Sequence, residues 1–210
     1  MQPTFALAAP AALMLQRWTQ GPAVFDAQGF ALYLLTLPGD CARIEARQRA
    51  RRLLREVLGD LLRLSAARVV LLEGPRGPRP AAGAGGIHVS LSYAGEHVLI
   101  GLGRKFVVGV DLVCVEDFDE LPALTRLYLD QESGRQVMAA PRAALAANFA
   151  QAWAEMEARS KCLGLPLAEM RPQRALALQT CGLRSCAAIE GYRAALAFRM
   201  PAADGKKPGR

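Results

Sequence analysis

Residues 106–115 read FVVGVDLVCV. The run is short, apolar and rich in valine, which is the signature of a strand buried on both faces. One residue breaks it. A carboxylate buried without a partner costs several kcal/mol, on the order of 2–7 for a polar group. Asp111 must therefore sit at a strand end, face a cation, or serve as a ligand to a hard metal ion. The reading of this strand sets the reading of the rest, because the patterns on its two sides resemble each other.

Upstream, FALYLLTL (30–37) leans to β structure. RIEARQRARRLLREVLGDLLRL (43–64) is an amphipathic helix. Ala46, Ala50, Leu53, Leu54, Val57, Leu58 and Leu61 share one face at about 100° per residue. Arg51 and Arg55 flank that face, while Arg49 and Arg52 lie across from it. RVVLLEG (68–74) reads as a buried strand, and GPRGPRPAAGAGG (74–86) as a loop carrying Arg76 and Arg79. IHVSLSYAGEHVLIGLG (87–103) reads as a hairpin turning at Ala94-Gly95-Glu96.

Downstream, residues 121–163 have a helical pattern in at least two pieces, divided at Pro141. RALALQTCG (174–182) and RSCAAIEGYRAALAFRM (184–200) read as short strands. The chain is thus expected to be α+β, with two similar α/β subdomains. The N-terminal one is assigned to 1–105 and the C-terminal one to 106–200, with a disordered tail at 201–210.

The 210 residues are 52% hydrophobic and 21% charged, a globular composition. The net charge of +7 suits an acidic partner or a phosphate-rich ligand. The basic residues are mostly arginine, whose planar fork matches phosphate. Cys41, Cys114, Cys162, Cys181 and Cys186 are odd in number, scattered, and form no CxxC pair. They read as reduced thiols of a cytoplasmic protein. His88 and His97 read as ordinary strand or turn residues, and two histidines do not make a His-rich zinc site. The N-terminal MQPTFALAAPAALMLQRW has no basic n-region and its short apolar run contains Pro10, so it does not read as a signal peptide. No run is long enough to span a membrane.

WAEMEARSK (153–161) places Trp153, Glu157 and Lys161 at i, i+4 and i+8, on one side of a helix. An exposed Glu157–Lys161 pair would contribute only about 0.3–0.5 kcal/mol to stability. Its position in the chain makes it more informative. An S-x-S strand end (SLSYAG, 90–95), then GVD (109–111), then WxxxExxxKxxG (153–164) follow in series. In that order and spacing they resemble the 4'-phosphopantetheinyl transferase superfamily, and by length its pseudo-dimeric group.

The resemblance implies the following. Asp111 and Glu157 are metal ligands for Mg²⁺. Lys161 contacts the phosphates of coenzyme A, the co-substrate. Glu132, in LYLDQESGRQV, stands where an acid often lies near the metal and the attacking serine, so Glu157, Glu132 and Lys161 form the catalytic set. Ser92 and Tyr93 occupy the S-H-S motif that meets the 3'-phosphate and adenosine. Arg51, Arg52, Arg55, Arg76 and Arg79 match positions that receive the nucleotide phosphates. The partner is an acidic acyl or peptidyl carrier protein, and the chain is expected to be a monomer.

Four positions depart from the family pattern. Val113 replaces a third metal acid. Met156 replaces the lysine before the helix glutamate. Tyr93 and Ala94 replace the histidine and following serine of S-H-S. KCLGLPL (161–167) is shorter than the usual loop. An alternative is therefore a coenzyme A-binding relative that has lost activity. A nucleic-acid-binding protein fits the charge, but 6% aromatics and a core-facing apolar stripe on the basic helix argue against it.

Overall fold

The computed structural model describes residues 15–17, 24–39, 41–74, 77–81, 86–186 and 189–201. The apolar N-terminus through residue 14, Arg76, and the tail from 202 onward lie outside the described residues. In chain order the elements are β1 (Leu15–Arg17), β2 (Phe30–Thr36), α1 (Arg43–Leu62), a 3₁₀ turn (Ala66–Arg68), β3 (Leu71–Leu72), β4 (Arg79–Pro80), β5 (Ile87–Ala94), β6 (His97–Arg104) and β7 (Val107–Cys114). They continue with α2 (Leu121–Tyr128), α3 (Gln131–Met138), α4 (Arg142–Leu163), α5 (Pro172–Gln179), β8 (Gly182–Ser185) and β9 (Tyr192–Arg199). The α+β expectation holds.

Three sheets form. The first has the order β1-β2-β6-β5, the second pairs β3 with β4, and the third runs β7-β9-β8. Apart from the parallel β1–β2 pair, every pairing is antiparallel. On either side of Lys105 the chain repeats one order of elements. β2, α1, β5 and β6 form strand, helix, strand, strand, with the last strand between the other two; β7, α4, β8 and β9 do the same.

The alternation of side chains along these strands builds the layers. Ala31 and Tyr33 of β2, with Val98, Ile100 and Leu102 of β6, pack beneath the apolar face of α1: Ala46, Ala50, Leu53, Leu54, Val57 and Leu58. Phe30, Leu32 and Leu99 turn the other way and meet Val108, Val110, Leu112 and Leu196, filling the space between the two larger sheets. The far side of β9 carries Ala195 and Ala197, which receive Ala154, Ala158 and Cys162 of α4. The outer side of α4 carries Leu145, Phe149 and Met156, which pack with Leu121, Leu129, Val137 and Leu178 from the short helices and the loop after α2. Each fully buried leucine or valine in these layers contributes about 1.5–3 kcal/mol.

Two expected strands are corrected. RALALQTCG is not a strand: its first residues belong to α5. The Ala-Leu alternation mimics period 2, but alanine and leucine are also the strongest helix formers, and Pro172 starts the helix at its first position. Leu178 is 3% exposed and Leu176 66%, which same-face strand residues would not be. RVVLLEG yields only the two-residue β3, after the 3₁₀ turn. Its partner segment contains Pro78 and Pro80, which donate no N–H to a ladder. The helical stretch from 121 forms three helices, with the break before α4 at Pro141 as expected.

None of the five cysteines is in a disulfide. Cys162 packs in the α4–sheet layer, where burial pushes its thiol up to about 12. No described helix is long and apolar enough to cross a membrane.

Candidate functional site: a carboxylate pair at the seam between sheets

Asp111 sits where its strand forces it. Val108, Val110 and Leu112 of β7 point into the core between sheets. Gly109 and Asp111, on the alternate positions, face α4, flanked by Val107 and Val113. Gly109 is required there. A Cβ at this residue would overlap the Ala158 carbonyl and the Cys162 amide of α4. The bare backbone lets the helix lie close on the strand and brings Lys161 within reach of Asp111.

Asp111 is 6% exposed. Lys161 Nζ donates to its Oδ1 at 2.6 Å, to the Val110 carbonyl at 3.1 Å and to Ser92 Oγ at 3.1 Å. Those three bonds use all three ammonium donors. Ser92 Oγ in turn donates to Asp111 Oδ1 at 2.7 Å. One strand position away, the Val110 amide donates to Ser90 Oγ at 3.0 Å. β5 and β7 are the edge strands of their sheets, and serine hydroxyls join them where a backbone ladder would otherwise run. The strand-end alternative for Asp111 is thus excluded: it lies within β7 and its partner is a cation.

Glu157 lies one turn before Lys161 on α4. Its carboxyl titrates above the usual range. Burial is the main cause and the charge of Asp111 adds to it, while Lys161 and Arg174 act in the opposite direction. Neither Glu157 nor Asp111 Oδ2 takes a hydrogen bond among the described residues. Asp111 with one free oxygen and Glu157 with two could together serve a hard cation. Mg²⁺ is commonly held by one or two carboxylates, with phosphate oxygens and water completing its shell. No group of three or more His, Cys, Asp or Glu gathers among the described residues. Trp153, at the start of this turn series, packs instead on Phe149 and Tyr128, with ring centroids 5.4 Å from each. The rotation of about 40° per i, i+4 step carries the series from the helical layer to the sheet.

The other expected residues divide. Arg79, His88, Ser90 and Lys161 line one cleft of about 490 Å³. Arg51, Arg52 and Arg55 border a second, of about 460 Å³. Arg51 is also clamped by Glu73 through two 2.7 Å hydrogen bonds. Tyr93 is 41% exposed and lies in the field of Arg51 and Arg47.

Glu132 does not join Asp111 and Glu157. It is the second residue of α3, where its carboxylate pairs with Arg135 and Gln136 of the same helix. It borders a separate cleft of about 750 Å³ between α2, α3 and α5. Met156, where the resemblance expects a lysine, is 5% exposed and packs in the helical layer, directed away from the carboxylate pair.

Three residues at or beside the site have no role assigned from the sequence. Ser90 is the first serine of the S-x-S pattern and shares a strand face with Ser92. His88, in the Lys161 cleft, is held below its usual titration range by burial, with help from the charge of Arg199. Arg174 fell in the segment read as a strand and gave no signal. His97 lies on β6 with its ring edge-on to Tyr192 at 4.8 Å. Compared with known proteins, the chain matches no protein-family model and no curated protein at a significant level.

Proposed function

We propose that this chain is a 4'-phosphopantetheinyl transferase of the pseudo-dimeric kind, which moves the phosphopantetheine arm of coenzyme A to a serine of an acidic acyl or peptidyl carrier protein. One observation carries the reading. Ser92, Asp111 and Lys161 come from three motifs distant in sequence, yet they meet in a single hydrogen-bonded cluster, with Glu157 in its field. The repeated strand–helix–strand–strand order also supports two similar subdomains meeting near Lys105.

In the reaction the carrier serine Oγ attacks the β-phosphorus of coenzyme A. A new O–P bond forms, the bond from that phosphorus to the bridging oxygen breaks, and adenosine 3',5'-bisphosphate leaves with the electron pair. Asp111 and Glu157 would hold Mg²⁺, which supplies charge neutralisation at the pyrophosphate when bound. A carboxylate at the site takes the serine proton as general base. Lys161 fixes Asp111 and adds positive potential to the cleft that also holds Arg79 and His88. The net charge of +7 draws an acidic carrier by long-range steering.

A second reading, a coenzyme A-binding relative without transfer, draws on the buried Met156 and the fully engaged Lys161 ammonium. Intact-mass measurement separates the two. The protein is incubated with an apo carrier, coenzyme A and Mg²⁺. A carrier heavier by one phosphopantetheine is expected, and the gain should vanish in Asp111→Ala and Glu157→Ala. No gain across several carrier types rejects the transferase reading.

A further inference from the structure

The three donors of Lys161 are consumed inside the protein, so a pyrophosphate beside Glu157 needs another source of free N–H groups. Arg174, from the first turn of α5, reaches across to α4. Its Nη2 donates to Ser160 Oγ at 2.9 Å. Ser160 stands three residues after Glu157 and next to Lys161. Arg174 Nε is buried without a hydrogen-bond partner, and Nη1 makes no hydrogen bond among the described residues. Arg174 also lines an open cleft of about 440 Å³ with Ala168, Glu169, Arg171 and Gln173. The Ser160 contact holds the guanidinium where its charge acts on Glu157; Nε is sealed inside the protein, and Nη1 is the donor left for a ligand.

Resting on the transferase reading, we propose that Arg174 is the cation that meets the substrate pyrophosphate beside Glu157, in the role that the engaged Lys161 ammonium cannot fill. Arginine suits this role because it stays charged and presents a planar fork to phosphoryl oxygens. The ligand class is a phosphoanhydride, approached from the α5 side of α4.

The test uses the full chain as wild type, Arg174→Gln and Arg174→Lys. Each is measured for coenzyme A binding by calorimetry, for steady-state transfer to an apo acyl carrier protein with Mg²⁺, and for melting temperature. Arg174→Gln should lower kcat/KM for coenzyme A about a hundredfold, the scale of one lost transition-state donor. Its melting temperature should be unchanged, and Arg174→Lys should recover part of the loss. Wild-type kcat/KM in Arg174→Gln overturns the inference and leaves the transferase reading intact. So does a loss that tracks a fall in melting temperature and is not repaired by lysine, because that marks a packing role through Ser160. A wild-type protein that neither binds coenzyme A nor modifies the carrier overturns the transferase reading, and this inference falls with it.

Discussion

At the scale of single residues, Glu157 is held in a state that opposes stability. Burial and the neighbouring Asp111 raise its titration above the usual 4.5. The unfolded chain ionises first as pH rises, so the folded state loses stability between the unfolded and the shifted value. The penalty is complete above the shifted value and absent well below 4.5. Glu157→Gln should therefore melt higher than wild type at neutral pH, by roughly 0.5–2 kcal/mol, the range of a typical stabilising substitution. The two proteins should converge near pH 4, and the variant should not modify a carrier. Equal pH profiles for both proteins would show that Glu157 is not strained. Met156 is the opposite case, a residue whose identity suits its packing. Met156→Lys places an ammonium in the layer with Phe149 and Leu121 and should cost about 3 kcal/mol or more. It should bring no gain in transfer, readable from melting curves and the intact-mass assay together.

At the scale of elements, the approach of α4 to β7 sets the site. Gly109 permits it, and Ala154, Ala158 and Cys162 keep the facing surface of the helix small. Gly109→Ala should lift the helix, costing about 1–3 kcal/mol in overpacking. It should also cut transfer about a hundredfold, because Glu157 and Lys161 ride on the displaced helix. A variant with full stability and full activity would refute this coupling. The apolar run of β7 marked a buried strand broken at Asp111, and the period of α1 named its core residues, so both were readable from sequence. α5 was not, because Ala-Leu alternation satisfies either period and only the surroundings of Leu176 and Leu178 decide between them. Glu132 pairs within its own helix, and sequence could not show that for a related reason. Spacing along the chain fixes its helix but not where that helix packs.

At the scale of the whole molecule, the strands before and after Lys105 share one core. Val108, Val110, Leu112 and Leu196 of the second half pack on Phe30, Leu32 and Leu99 of the first. The candidate site is divided the same way, with Ser92 on one side of Lys105 and Asp111, Glu157 and Lys161 on the other. A chain of residues 106–201 alone should therefore fail to fold, giving poorly dispersed amide spectra, whereas a well-dispersed spectrum would show an independent domain. The sequence shows the repeat as two similar patterns. It does not show that sheet packs against sheet, because strand alternation names a buried face without naming what covers it.

The serine-bridged seam has a consequence for solubility. An edge strand presents unpaired amides and carbonyls to any passing chain, and such edges seed aggregation. β5 and β7 are both edges, and each guards the other: the Val110 amide is taken by Ser90 Oγ, and Ser92 is tied to Asp111. The side chains that assemble the candidate site thus also cover part of the β7 edge, where Ser90 takes the Val110 amide and Lys161 the Val110 carbonyl. The candidate site and the guard against self-association rest on the same few atoms.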